Sequence, residues 1–219
     1  MRWTLKALSL LLTYPDAELR EKLPGLIAAL ETDAALARPH REALLALAGE
    51  IAAADGLDAE EAYVDVFDRG RATSLNLFEH LHGDSRERGP AMVDLKLTYE
   101  RAGFRLSAKQ LPDYLPVLLE FLSTREAGEV RETLADCAHL VRGLGESLRG
   151  RESPYAAVPA AILALAGEPG LGKGPTPVRE PEKSLDEEWR DAEVIFGPAA
   201  ACGNEAPATS VVRFAPRAS

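Results

Sequence analysis

Cysteine and basic residues are both scarce in this chain of 219 residues. The two cysteines, Cys137 and Cys202, lie far apart and outside any CxxC motif, which argues against a disulfide framework and favours a reducing compartment. Lys and Arg number 25 against 35 Asp and Glu, so the formal net charge is −10. Such a balance argues against binding to a nucleic-acid backbone and favours attraction to basic partners.

Long apolar runs are also missing. No stretch approaches the ~20 residues that a membrane-spanning helix needs. The apolar run from Ala7 to Leu12 is short, and no small-residue cleavage site follows it. We therefore expect a cytoplasmic protein without direct membrane insertion.

Alternating strand patterns are absent too, whereas apolar residues recur at helical spacing up to about residue 167. The sequence predicts an all-α fold, a single globular helical domain of about eight to ten helices over residues 1–167. We also predict four local features: a kink or break at Pro24, a helix that opens with a capping box at Asp58, a helix capped by Asp113, and one long helix over residues 130–148.

The last 52 residues, 168–219, hold seven of the fifteen prolines and five of the seventeen glycines. A segment of this composition buries little apolar surface, so we expect a flexible Pro/Gly-rich tail. Within it, residues 184–197 place Leu185, Trp189 and Phe196 at helical spacing, which predicts a short amphipathic element.

Two of the four histidines, His80 and His82, stand two residues apart, a spacing that suits metal binding on a strand. Their neighbours show helical spacing, and two residues on a helix are separated by about 200° of rotation. The two imidazoles would therefore point away from each other, and we predict no metal site.

The stretch from His80 to Gly89 leaves an alternative open. A Ser-Arg-x-Arg-Gly turn before a helix can hold an anion through backbone N–H groups and the side chains of Arg86 and Arg88. A nucleotide- or anion-binding protein, or a hydrolytic one, would use this stretch. The chain lacks the GxxxxGK(S/T) motif of a phosphate-binding loop and the GxSxG motif of a hydrolase, so we predict no catalytic residues.

Aromatic and acidic residues concentrate between residues 58 and 121. Aromatic side chains at helical spacing can wall an apolar groove, and carboxylates at its rim would accept an amphipathic basic helix. The same spacing is typical of side chains that fill the core. The residues alone leave both interpretations open.

Two segments of this region resemble a known family: residues 63–92, YVDVFDRGRATSLNLFEHLHGDSRERGPAM, and residues 111–122, LPDYLPVLLEFL. The N-terminal LKALSLLLTYPD and the Trp-bearing acidic island of the tail fit the same family. The chain is similar to the NarJ-type nitrate reductase delta subunits, which are molybdenum cofactor assembly chaperones of the TorD/DmsD redox-enzyme chaperone group.

The resemblance implies an all-helical chaperone that is neither an enzyme nor a component of the mature reductase, and that serves nitrate assimilation. Such a chaperone would bind the N-terminal segment of the nitrate reductase catalytic (alpha) subunit. It would hold the apo alpha–beta complex competent for molybdenum cofactor and iron–sulfur insertion before membrane docking. The resemblance also implies transient contact with cofactor delivery proteins and no resident cofactor.

From the resemblance and the residues together, we predict a peptide-binding groove. Its apolar walls are Tyr63, Phe67, Leu75, Phe78 and Phe121, and its acidic contacts are Asp65, Glu79, Asp113 and Glu120. The segments that carry the resemblance add His82, Arg86, Arg88, Tyr114 and Pro116.

Overall fold

The computed structural model describes residues 1–82, 86–107 and 110–172, except for the side chain of His82. Within these ranges the chain forms ten α-helices: α1 (Arg2–Leu11), α2 (Ala17–Thr32), α3 (Arg38–Ala53), α4 (Gly56–Phe67), α5 (Leu77–His82), α6 (Arg88–Arg101), α7 (Leu115–Leu122), α8 (Ala127–Asp136), α9 (Ala138–Gly150) and α10 (Ala157–Ala166). Two short 3-10 helices, Arg71–Thr73 and Pro154–Ala156, precede α5 and α10. The predicted all-α class is therefore confirmed.

The predicted amphipathic element at residues 184–197 lies outside the described residues, as does the tail beyond residue 172. None of the helices in the described ranges is long and apolar enough to cross a membrane.

The core is built around α7 and α10. Every residue of α7 except Glu120 is buried, and α10 buries most of its residues. α1 packs on α7 and α2, and α10 packs on α3, α8 and α9. Leu5, Leu8 and Leu11 show how the sequence produces this packing, because their spacing places them on one face of α1, where all three are buried. Each such leucine contributes about 1.5–3 kcal/mol of burial free energy.

α6 is the exception to this packing. Tyr99 is its only buried residue, and the Tyr99 ring packs against Phe121 of α7 at a centroid distance of 4.7 Å. The Tyr99 hydroxyl donates to the carbonyl of Pro112 at 2.9 Å. Val93 and Leu97, one turn apart, are exposed to solvent. α6 therefore buries a single side chain fully, and the half-buried Leu95 adds a further contact with the core.

Two local features of the N-terminal half differ from the predictions. A break at Pro24 is absent, since α2 continues through this residue, whereas a kink there stays a prediction. Pro24 faces solvent, where water can bond the carbonyl that loses its helical partner. α4 begins at Gly56 and not at Asp58. Asp55 is its N-cap, since the Asp55 carboxylate accepts a hydrogen bond from the Leu57 N–H at 3.1 Å. Asp58 lies in the first turn instead, where the helix dipole favours its charge.

The long helix predicted over residues 130–148 is two helices, α8 and α9, which meet at Cys137. Its backbone, with φ of −94° and ψ of 5°, departs from helical values. A break of one residue hardly changes the phase of the apolar pattern, so Val130, Leu134 and Val141 all remain buried. Spacing alone therefore does not reveal the break.

After α10 the chain passes over α9. Arg142 of α9 donates from Nη1 to the carbonyls of Pro169 and Gly170, both at 2.8 Å. Leu171 lies over Gly145 of α9 and packs against the core. Residues 168–172, the first five of the predicted tail, are held on α9 in this way.

We expect Gly145→Ala to lower the free energy of unfolding by about 1–3 kcal/mol. A Cβ atom at this position would lie 2.9 Å from Cβ of Pro159 and 2.5 Å from a Cδ atom of Leu171. Leu171 can rotate away, but the proline ring cannot. Denaturant unfolding followed by circular dichroism measures the effect.

The matched control is Gly143→Ala on the same helix, where a Cβ atom would meet nothing within 4 Å. This substitution should stabilise the protein by up to about 1 kcal/mol, because alanine favours a helix over glycine. Equal effects of the two substitutions would contradict the close packing at Gly145.

Candidate functional site

The two segments that carry the family resemblance lie side by side in the structure. The Leu77 N–H donates to the carbonyl of Asp113 at 3.0 Å, and the Leu115 N–H donates to the carbonyl of Leu75 at 2.8 Å. These bonds form an isolated antiparallel bridge between residues 76 and 114. The start of α5 is thereby fixed against the start of α7.

Asp113 serves a different helix from the predicted one. Its carboxylate Oδ2 accepts a hydrogen bond from the Phe78 N–H at 3.0 Å, so it caps α5. The N-cap residue of α7 is Tyr114, which makes no side-chain cap bond. Asp113 is 1% exposed, and its Oδ1 atom has no hydrogen-bond partner among the described residues. Burial raises the pKa of Asp113, although the Phe78 N–H and the nearby Arg88 act in the opposite direction.

Arg88 stands between two carboxylates. Its Nη2 atom lies 3.3 Å from Glu79 and 3.9 Å from Asp113. Glu79 also accepts a hydrogen bond from the Ser74 hydroxyl, and this bond is the main reason why the pKa of Glu79 is lowered. Because two acids already match its charge, Arg88 is poorly suited to hold a free anion, and the alternative function based on residues 80–89 is not favoured.

Other predicted residues of this region are dispersed. Asp65 is exposed and forms an ion pair with Arg69 at 3.0 Å. Arg86 is exposed, Phe78 is half-buried, and the side chain of His82 lies outside the described part of the chain. Their contact with a peptide stays a prediction.

Most of the predicted apolar walls are buried in the core. Tyr63, Phe67, Leu75 and Phe121 are each at most 8% exposed. Tyr63 packs on Phe67 with a centroid distance of 4.7 Å, and its hydroxyl donates to the carbonyl of Leu12 at 2.8 Å. Because all four side chains are buried, they offer little surface to a partner.

Open space lies instead between α1, the start of α2 and α7. This α1–α7 groove has a volume of about 540 Å³. Its lining residues are Lys6, Ser9, Leu10, Thr13, Tyr14, Asp16, Glu18, Leu19, Lys22, Gln110, Pro116, Val117 and Glu120. Of the predicted site residues, Pro116 and Glu120 belong to it.

Buried residues form the floor of the α1–α7 groove. The Ser9 hydroxyl donates to the carbonyl of Pro116 at 2.7 Å and ties α1 to α7. Val117 and Leu19 are buried beside this bond. Tyr14 stands at the edge with 43% of its surface exposed, and its ring packs edge-on against Tyr63 at 5.7 Å. The groove therefore combines a rigid apolar floor with an accessible aromatic side chain.

The prediction from sequence missed Lys6, Leu10 and Tyr14 as site residues, although all three lie in LKALSLLLTYPD, the N-terminal segment that fits the family. Spacing gives only part of a signal for them. Lys6 and Leu10 are four residues apart, on the side of α1 away from Leu5 and Leu8, whereas Tyr14 follows the end of that helix.

Known proteins are similar to this chain over most of its length. The model of the family described as nitrate reductase delta subunit matches residues 16–160. The nitrate reductase molybdenum cofactor assembly chaperone NarJ of Escherichia coli K12 is 38% identical over 213 residues, which cover 94% of this chain and 90% of NarJ. In the same strain, "Probable nitrate reductase molybdenum cofactor assembly chaperone NarW" is 38% identical over 198 residues, covering 88% of this chain and 83% of NarW.

A solved structure shares the fold. It is the crystal structure of a candidate redox enzyme maturation protein from Archaeoglobus fulgidus, which is 22% identical to this chain. The two structures superimpose with a TM-score of 0.57, and the match covers 77% of this chain and 94% of the other.

The role of Asp113 as a buried cap predicts different effects for two substitutions. Asp113→Asn keeps an oxygen that accepts from the Phe78 N–H and removes a buried charge, so we expect a loss of at most about 1 kcal/mol. Asp113→Ala leaves that N–H without an acceptor and should cost about 2–3 kcal/mol. Urea unfolding of both variants measures the difference, and an equal loss for Asn and Ala would show that the charge matters more than the cap.

Proposed function

The chain belongs to the nitrate reductase delta subunit family, and on that premise we propose that it is a nitrate reductase molybdenum cofactor assembly chaperone. It acts by binding another protein and not as an enzyme. The relatives named above carry this role in their names, and the match to NarJ extends over nearly the whole of both chains.

In the finer form of the proposal, the chaperone binds the N-terminal segment of the catalytic alpha subunit in the α1–α7 groove. It thereby holds the apo alpha–beta complex competent for insertion of the molybdenum cofactor and of iron–sulfur clusters. The observation that carries this proposal is the groove itself, which is open and has buried residues such as Leu19 and Val117 in its lining. Three acids, Asp16, Glu18 and Glu120, and two lysines, Lys6 and Lys22, border it, so acids are in the majority. A segment with basic and apolar residues fits such a surface.

Predicted residues outside the groove stabilise α7, which forms one of its walls. Phe121 is a buried residue of α7, and the buried Leu75 accepts a hydrogen bond from the Leu115 N–H in the first turn. Asp113 connects the same turn to α5. Because these contacts already order the groove in the free protein, binding loses little free energy to ordering it.

The entropic cost of ordering falls on the bound segment instead. A peptide that folds into a helix on binding loses conformational entropy, so its affinity stays moderate relative to the surface that it buries. Moderate affinity suits a chaperone that has to release its partner once the cofactor is in place. The chain's net charge of −10 also attracts a basic segment at long range.

The coarse function is tested by expressing the alpha and beta subunits with and without this chain. We expect the purified alpha–beta complex to contain close to one molybdenum per alpha subunit when the chain is present, and a several-fold lower molybdenum content when it is absent. Elemental analysis gives both values. Equal molybdenum content in the two preparations would contradict the chaperone function.

The groove is tested with a peptide of the first 20 residues of the alpha subunit and isothermal titration calorimetry. Tyr14→Ala removes the accessible aromatic side chain at the groove edge and should weaken binding about fivefold or more. Leu57→Ala is the matched control, since Leu57 is a large apolar residue of α4 with 75% exposure that does not line the groove. A similar loss for both variants would place the peptide elsewhere.

A further inference from the structure

Among the described residues that line the α1–α7 groove, one cation and one anion have neither an ion pair nor a side-chain hydrogen bond. The other charged side chains have partners. Glu18 and Lys22 form an exposed ion pair at 2.6 Å, and the Asp16 carboxylate, which keeps its charge, caps α2 by accepting a hydrogen bond from the Leu19 N–H at 2.8 Å. Lys6 and Glu120 are left, and neither forms an ion pair within the part of the chain that the structure describes.

Lys6 is the cation of the groove. It lies on α1, whose sequence contains no acidic residue, and the first acid of the chain is Asp16. Its ammonium group is 5.9 Å from the ring centroid of Trp3, a contact that holds the side chain without neutralising its charge. Lys6 is half-buried, so its charge is less screened by water than that of a fully exposed lysine.

Glu120 is the anion of the groove. It is the one exposed residue of α7, and the residues around it in the helix are all buried. Its position is therefore fixed by the packing of the whole helix, although its own carboxylate is free to meet a partner. The half-buried Leu10 and the buried Val117 line the same groove as Lys6 and Glu120.

We infer that the groove selects an amphipathic helical segment that carries an acidic residue for Lys6 as well as a basic residue for Glu120. This inference rests on the proposed function and specifies the chemistry of the partner at the same site. A segment with basic residues alone would bring a like charge to Lys6, and one with acids alone would bring a like charge to Glu120. Each would lose affinity, so the pair discriminates among apolar helices.

The pair also defines a direction. Lys6 and Glu120 belong to different helices of the groove, so a segment whose acid and base meet them can lie in one orientation only. The reverse orientation places both of its charges next to like charges. The apolar floor supplies attraction in either orientation, and the two charges decide between them.

The test is a set of calorimetric titrations of the full chain with the 20-residue alpha-subunit peptide at low ionic strength. Lys6→Glu and Glu120→Lys should each raise Kd about five- to tenfold. The matched controls are Lys96→Glu and Glu61→Lys, exposed residues of α6 and α4 outside the groove, which should leave Kd within about twofold.

Two altered peptides separate the contributions. A peptide whose acids are replaced by their amides should bind to Lys6→Glu at least as tightly as to the wild-type chain, because the substitution removes a like charge, while Glu120→Lys should still weaken it. A peptide whose basic residues are replaced by glutamine should show the opposite sensitivity. This crossed pattern identifies which charge meets which residue.

The outcomes are distinguishable. If the parent peptide binds the wild-type chain but Lys6→Glu does not weaken it, the inference is wrong and the proposed function stands. The same conclusion follows if Lys6→Glu weakens binding of the amide peptide as much as it weakens binding of the parent peptide. If the parent peptide gives no binding to the wild-type chain, peptide recognition in the groove and the inference both fail.

Discussion

The structure depends on the short segment before and within the first turn of α7, residues 112–116, which is hydrogen-bonded to three other elements. The Tyr99 hydroxyl of α6 donates to the carbonyl of Pro112, α5 donates backbone N–H groups to Asp113, and the Ser9 hydroxyl of α1 donates to the carbonyl of Pro116. Buried backbone groups have to be paired, so these bonds are satisfied only if all three helices take their places. The groove between α1 and α7 is one product of that arrangement.

The fold class followed from the sequence because helical spacing of apolar residues is a local property, and it persists through α1, α7 and α10. The site followed only in part. Asp113 has the chemistry expected of a cap, but its partner is the Phe78 N–H, 35 residues away in the chain, and no local pattern specifies that pairing. Aromatic residues such as Tyr63 and Phe121 were predicted to wall a groove but fill the core. The spacing could not distinguish the two, because a stripe that faces the core and a stripe that faces a groove repeat at the same interval.

The groove could not be predicted from local spacing either. Its walls come from the N-terminal helix and from α7, which are separated by about half of the chain, so only the tertiary structure places Lys6 and Glu120 in one groove. Of the residues predicted from the family resemblance, Pro116 and Glu120 line the groove, and Asp113 and Tyr114 make hydrogen bonds that hold the start of α7. In the part of the molecule that the structure describes, the motif of the family therefore corresponds more to the support of α7 than to the lining of the α1–α7 groove.

The sparse burial of α6 has an energetic consequence. Tyr99 is its only buried side chain, while Leu95 and the ion pairs of Arg88 add further contacts to the body. A helix that buries few side chains opens locally at a lower free energy than one at the centre of a core. We therefore expect the amide hydrogens of α6 to exchange with solvent sooner than those of α7, which buries every residue but Glu120. None of the described lining residues of the groove belongs to α6, so such an opening removes no part of that lining.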